Sequence, residues 1–72
     1  MMAVCYNKLW KLLIDRKMKK KELLELSGIS KAALYKLTKD ENVNTEILVK
    51  ICTALDVDLS DIVELKKEAE TN

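Results

Sequence analysis

Gly28 is the only glycine in the chain, and proline is absent. A polypeptide with one flexible joint and no ring-locked residue is poorly equipped for the many tight turns of a short-stranded sheet. It suits helices joined by capped turns. The apolar residues recur at three- and four-residue steps almost throughout, which is the period of a helix with one buried face. Hydrophobic residues make up 49% of the 72, enough for one core, and a chain this short is expected to fold as a single domain over residues 1–72.

The pattern divides into five segments. Tyr6, Leu9, Trp10, Leu13 and Lys17 set a first helix at about 5–17, with Leu12 and Ile14 widening its apolar face. A second helix is expected from Lys20 to Ser27, with Leu23, Leu24 and Leu26 inward. Gly28 then stands where a helix ends on a residue of positive φ. Ser30 offers an N-cap oxygen to a third helix at 31–38. Ala33, Leu34 and Leu37 lie on one side of it, and Lys31, Ala32, Tyr35 and Lys36 on the other. Residues 39–44, KDENVN, form a polar loop. Asn44 or Thr45 caps a fourth helix at 45–55, with Ile47, Leu48, Ile51, Cys52 and Leu55 buried. Asp58, followed three places on by Asp61, caps a fifth helix at 59–66. Residues 67–72 are expected to be frayed. The fold class expected is all-α, a compact five-helix domain.

Composition removes several function classes. There is no histidine, so His-based triads, His metal ligands and a histidine pH switch are excluded. Cys5 and Cys52 have no CxxC spacing and cannot build a zinc site alone; a single disulfide between them is possible in principle, and the preferred reading is two buried free thiols in a reducing cytoplasm. With no Gly-rich phosphate loop and too small a core for a ligand pocket of ~300 Å³, an enzyme is not expected, nor is any cofactor or metal. No apolar run approaches the roughly 18 residues of a membrane span, and the start at Met1 lacks signal-peptide anatomy. A cytoplasmic location is expected.

The net charge of +1 conceals a division. Residues 1–39 hold ten Lys/Arg against three acids, a net +7. Residues 40–72 hold three lysines against nine acids, a net −6. The first half is expected to face something anionic, although composition alone fits an ordinary solvated Lys-rich face equally well. Within it, Met18 to Leu37 carries the most information. Two short helices meet at Ser27-Gly28-Ile29, and Ala33 leaves room at their crossing, which is helix-turn-helix geometry at about 20–38. Lys19, Lys20 and Lys21 open the second helix at the end where cations are disfavoured by the macrodipole. A phosphate bound there would account for them.

This stretch, with Ala54-Leu55-x-Val57-x-Leu59-x-x-Ile62 downstream, resembles the Cro/CI-type (Xre-like) helix-turn-helix regulators, most closely the short stand-alone forms. The resemblance spans about residues 6–65. It implies a lambda-repressor-like domain and sequence-specific control of transcription. It also implies a recognition helix that begins at Ser30 and turns Lys31, Ala32, Tyr35 and Lys36 to the bases. Side-chain chemistry agrees: Lys31 and Lys36 can donate to guanine O6/N7, Ala32 can touch a thymine methyl, and Tyr35 can donate to a base edge or phosphate. Lys19, Lys20, Ser30, Lys39, Asn42 and Asn44 are the expected phosphate contacts. Leu13 and Thr38 stand where many relatives hold an Arg–Glu pair, so a mixed or apolar contact is expected there. Asp40, Glu41 and Glu46 make acidic a region that is basic in several relatives.

Two readings follow. In the first, a homodimeric repressor places its two recognition helices in successive major grooves of a near-palindromic operator, with Asn44, Ile47, Val57 and Leu59 near the two-fold axis. In the second, the scaffold is a protein-interaction adaptor or an antirepressor- or antitoxin-like module that works through its acidic half and Trp10. The outward face of residues 31–36 separates them, because an adaptor needs neither Lys31 nor Lys36 there.

Overall fold

The computed structural model describes residues 2–67. Its elements run β1 (Met2–Cys5), α1 (Asn7–Asp15), α2 (Lys20–Ser27), α3 (Lys31–Thr38), α4 (Thr45–Leu55), a short 3-10 turn (Leu59–Asp61) and β2 (Glu64–Lys67). Four α-helices enclose the core, and the two strands join the chain's ends in an antiparallel ladder. Met2 faces Lys67, Ala3 faces Lys66, Val4 faces Leu65 and Cys5 faces Glu64.

The helices begin and end for local reasons. Ser30 caps α3 by accepting the Ala33 N–H at 3.1 Å, and Asn44 caps α4 by accepting that of Ile47 at 3.1 Å. Gly28 closes α2 at φ 77°, its N–H donating to the Leu24 carbonyl at 3.0 Å. Lys17, Asp40 and Asp56 also turn the chain at positive φ after α1, α3 and α4. The C-terminus of α4 is held from outside, since Arg16 Nη1 donates to the Leu55 carbonyl at 2.6 Å. A cation at that end also meets the negative pole of the helix.

The core comprises Tyr6, Leu9, Leu13, Leu23, Ile29, Ala33, Leu37, Ile51, Leu55 and Ile62. Every helix contributes to it, and Ile29 pins the turn between α2 and α3. Ile14 and Leu26, expected inward, are 73% and 58% exposed. Ile14 adjoins buried Leu13 but points off the stripe that Leu9 and Leu13 occupy, and on α2 Leu23 alone is buried, so Leu26, one turn further on, lies beyond the covered part of that face.

Several expectations need correction. The fold is mostly helical rather than all-α, because residues 2–5 and 64–67 are strands. The first helix accordingly starts at Asn7, and it ends at Asp15 because Lys17 takes positive φ. The fifth helix is a single 3-10 turn. Asp58 and Asp61 do cap it: Asp58 Oδ1 accepts the Leu59 N–H at 2.9 Å, and Asp61 Oδ2 accepts that of Asp58 at 3.0 Å. Beyond Ile62 the chain extends instead, and pairing with β1 satisfies its backbone groups. Tertiary pairing has overridden a short helical period. Of the residues expected to fray, Lys67 is paired with Met2, and 68–72 lie outside the described residues.

Candidate nucleic-acid interface

The three residues Gly28–Ser30 join α2 to α3, and Ala33, 7% exposed, packs inward at their crossing. With Ala33 and Leu37 inward, α3 turns Lys31, Ala32, Tyr35 and Lys36 to solvent, and all four are exposed. Residues 31 and 35, and 32 and 36, are one turn apart and form a single outer face. Tyr35 is 60% exposed, and its ring carries the Lys39 ammonium 4.5 Å from its centroid. Lys36 and Lys39 sit at the C-terminal end of α3, where positive charge is favoured.

A cleft of about 190 Å³ lies beside this face, lined by Ser30, Ala32, Ala33, Lys36, Val43, Asn44 and Ile47. It joins the N-caps of α3 and α4. Both cap oxygens are committed to backbone amides, yet the Ser30 hydroxyl and the Asn44 amide still have hydrogens to donate. Asn42 is exposed in the adjoining loop.

Lys19 is the N-cap residue of α2, as the family's pattern implies. A lysine has no acceptor, so its side chain caps nothing. The opposite half of a capping box is present: Glu22 Oε1 accepts the Lys19 N–H at 2.9 Å. Lys19, Lys20 and Lys21 are all exposed. The Lys20 ammonium rests 4.6 Å from the centroid of the Trp10 ring. Trp10 is half-buried and packs against the core, as its helical spacing led one to expect.

The acidic loop has a structural role that sequence reasoning missed. Asp40 Oδ1 accepts the Tyr6 N–H at 3.1 Å, and the Tyr6 hydroxyl donates to the Glu41 carbonyl at 2.8 Å. Tyr6 is 1% exposed. Burial, and next to it the Asp40 charge, push its phenol above the usual range. No local pattern links residues 6 and 40. The Tyr35–Lys39 contact did have a signal, the i,i+4 spacing.

Other candidates divide. Leu13 is buried, whereas Thr38 is exposed and its hydroxyl donates to the Tyr35 carbonyl at 2.6 Å. Val57 and Leu59 line one shallow groove with Val49 and Cys52, while Asn44 and Ile47 border the cleft beside α3. The four residues expected near a two-fold axis are therefore split between two concavities. Cys5 and Cys52 are free. Cys52 is half-buried, and burial, with Asp58 and Asp61 nearby, raises its thiol pKa and disfavours the reactive thiolate.

The family model of the Cro/C1-type HTH DNA-binding domain matches residues 8–68. The chain belongs to that family. Its helix-turn-helix is the Lys20–Thr38 unit, and the match takes in α2, α3, α4 and all of α1 except Asn7. The fold is also that of the crystal structure of the transcriptional regulator VanUg, form II, with a TM-score of 0.89 and 55% sequence identity. That similarity covers 93% of this chain and 89% of the other. No curated protein matches. Proteins of this family and fold are generally not enzymes. Among the described residues, no helix is long and apolar enough to cross a membrane.

Proposed function

We propose that this Cro/C1-type domain is a sequence-specific transcriptional regulator that acts in the cytoplasm as a homodimeric repressor on a near-palindromic operator. The observation that carries the reading is the outer face of α3. Lys31, Ala32, Tyr35 and Lys36 stand exposed on a short helix whose other side is locked by Ala33 and Leu37. That surface suits hydrogen bonding to guanine and methyl contact to thymine in a major groove. Lys19, Lys20, Lys39, Ser30, Asn42 and Asn44 surround it as donors to phosphate, and these fix register without reading sequence. The similarity to VanUg supports control of transcription.

One recognition helix of about two turns discriminates few base pairs, too few to select a site in a genome. Two-fold duplication is the simplest remedy. Leu59, 44% exposed, and Val57 offer apolar surface beside Val49 and Cys52, and the proposed contact also takes in Asn44 and Ile47, which border the separate cleft beside α3. Acidic Glu46 and Asp58 beside them weaken a contact between like copies, so assembly is reinforced by DNA. Occlusion of polymerase from the promoter gives repression. An adaptor would not need Lys31 and Lys36 on the outer face.

The test is a binding-site selection followed by sedimentation on the selected duplex. Two chains per duplex, related by a near-palindrome about one helical turn between half-sites, is the expected result. One chain per site without cooperativity would end the dimer model.

A further inference from the structure

We propose that Trp10 is a positioning residue for DNA binding: its indole face holds the Lys20 ammonium ready for a backbone phosphate. The inference rests on the DNA-binding reading above and assigns a role to a residue outside the helix-turn-helix.

Lys20 is the first residue of α2, beside the positive pole of that helix. Left to itself, a long exposed side chain there swings away from the helix end. It also loses rotamer freedom when it binds. The structure supplies a counterweight from α1. The Lys20 ammonium lies 4.6 Å from the Trp10 ring centroid, within the range at which the negative face of an indole attracts a cation. The ring is a rigid seat, because Trp10 packs against the hydrophobic core while Lys20 remains exposed. An ammonium on a ring face uses one side for that contact and keeps N–H groups free on the other. The lysine therefore need not leave its seat to donate to a phosphate oxygen. Tyr35 and Lys39 repeat the arrangement at the far end of the helix-turn-helix, with 4.5 Å from ammonium to ring centroid. The first lysine of the two-helix unit, Lys20, and the lysine just after it, Lys39, are both held on aromatic faces.

The experiment is a double-mutant cycle on DNA affinity, read by anisotropy of a labelled duplex carrying the best selected site. Trp10→Leu keeps an apolar contact with the core and removes the ring face. It is expected to weaken binding about two- to five-fold per subunit. Trp10→Tyr is expected to recover most of the loss. Lys20→Met weakens binding further, and Trp10→Leu added to it is expected to have no additional effect. A purely structural Trp10 would lower affinity by the same factor in either background, and that result overturns the proposal. So does a Trp10→Leu protein that binds as tightly as the parent, or more tightly, while the parent itself binds DNA normally. A parent that binds no duplex overturns the DNA-binding reading as well. Should Trp10→Leu not fold, the readout moves to Lys20→Met with Trp10 intact. Trp10 is the only tryptophan, so its emission reports the seat directly. A shifted emission in DNA-free Lys20→Met supports the contact. An emission identical to the parent's contradicts it.

Discussion

The carboxylate of Asp40 accepts the backbone N–H of Tyr6 at 3.1 Å, tying the loop after α3 to the start of α1. Asp40 itself sits at φ 56°, a conformation aspartate and asparagine tolerate better than most residues. Asp40→Ala removes a charged acceptor and adds backbone strain, with an expected loss of about 2–3 kcal/mol. Asp40→Asn retains an acceptor oxygen and is expected to lose less than half as much. Urea unfolding of the two variants measures the difference, and equal losses would mean that the bond contributes nothing.

The same contact gives an alkaline signature. The Tyr6 phenol is raised above its ordinary pKa of 10.0 by burial and then by Asp40. Above pH ~10 the unfolded chain therefore releases this proton before the folded one does. Stability is full below that pH and falls as pH rises through the raised value. Tyr6→Phe loses the hydroxyl bond to Glu41, about 1 kcal/mol at neutral pH, and should show a shallower decline above pH 10. Unfolding free energies at pH 7 and pH 10.5 check both parts.

Gly28 allows a test of strain without crowding. Its φ is 77°, yet a Cβ built there meets nothing within 4 Å. Gly28→Ala is expected to cost about 1–2 kcal/mol from the backbone alone, and Gly28→Asn less. Comparable thermal shifts for the two would contradict the conformational argument.

Much of this architecture was legible in the sequence. Ser30, Asn44 and Gly28 are cap residues with local signatures, and the bounds of α2, α3 and α4 follow from them. The outer face of α3 follows from helical period. The strands did not. Val63 and Leu65 alternate as a strand does, but Leu59, Ile62 and Val63 also fit a helix, and a run that short is ambiguous. The partner that decides it is Met2–Cys5, at the opposite end of the chain. Neither Tyr6–Asp40 nor Trp10–Lys20 carries a spacing signal, because each joins separate elements whose approach only the packed core defines.

Within the interface, positioning and reading separate by mutation. Lys31→Ala is expected to cost ~1–3 kcal/mol on the best site and to relax base preference. Lys20→Ala weakens binding to all sequences more evenly. Competition against random duplex distinguishes them, and identical behaviour of the two variants would refute the assignment.

Docking of the basic half of this chain on duplex DNA is tested most plainly by the salt dependence of affinity for a selected operator. With Lys19, Lys20, Lys36 and Lys39 of each subunit engaged, roughly six to eight phosphates are neutralised, and the slope of log affinity against log salt is on the order of −5 to −7. A slope shallower than about −2, or no binding at low salt, would contradict the account.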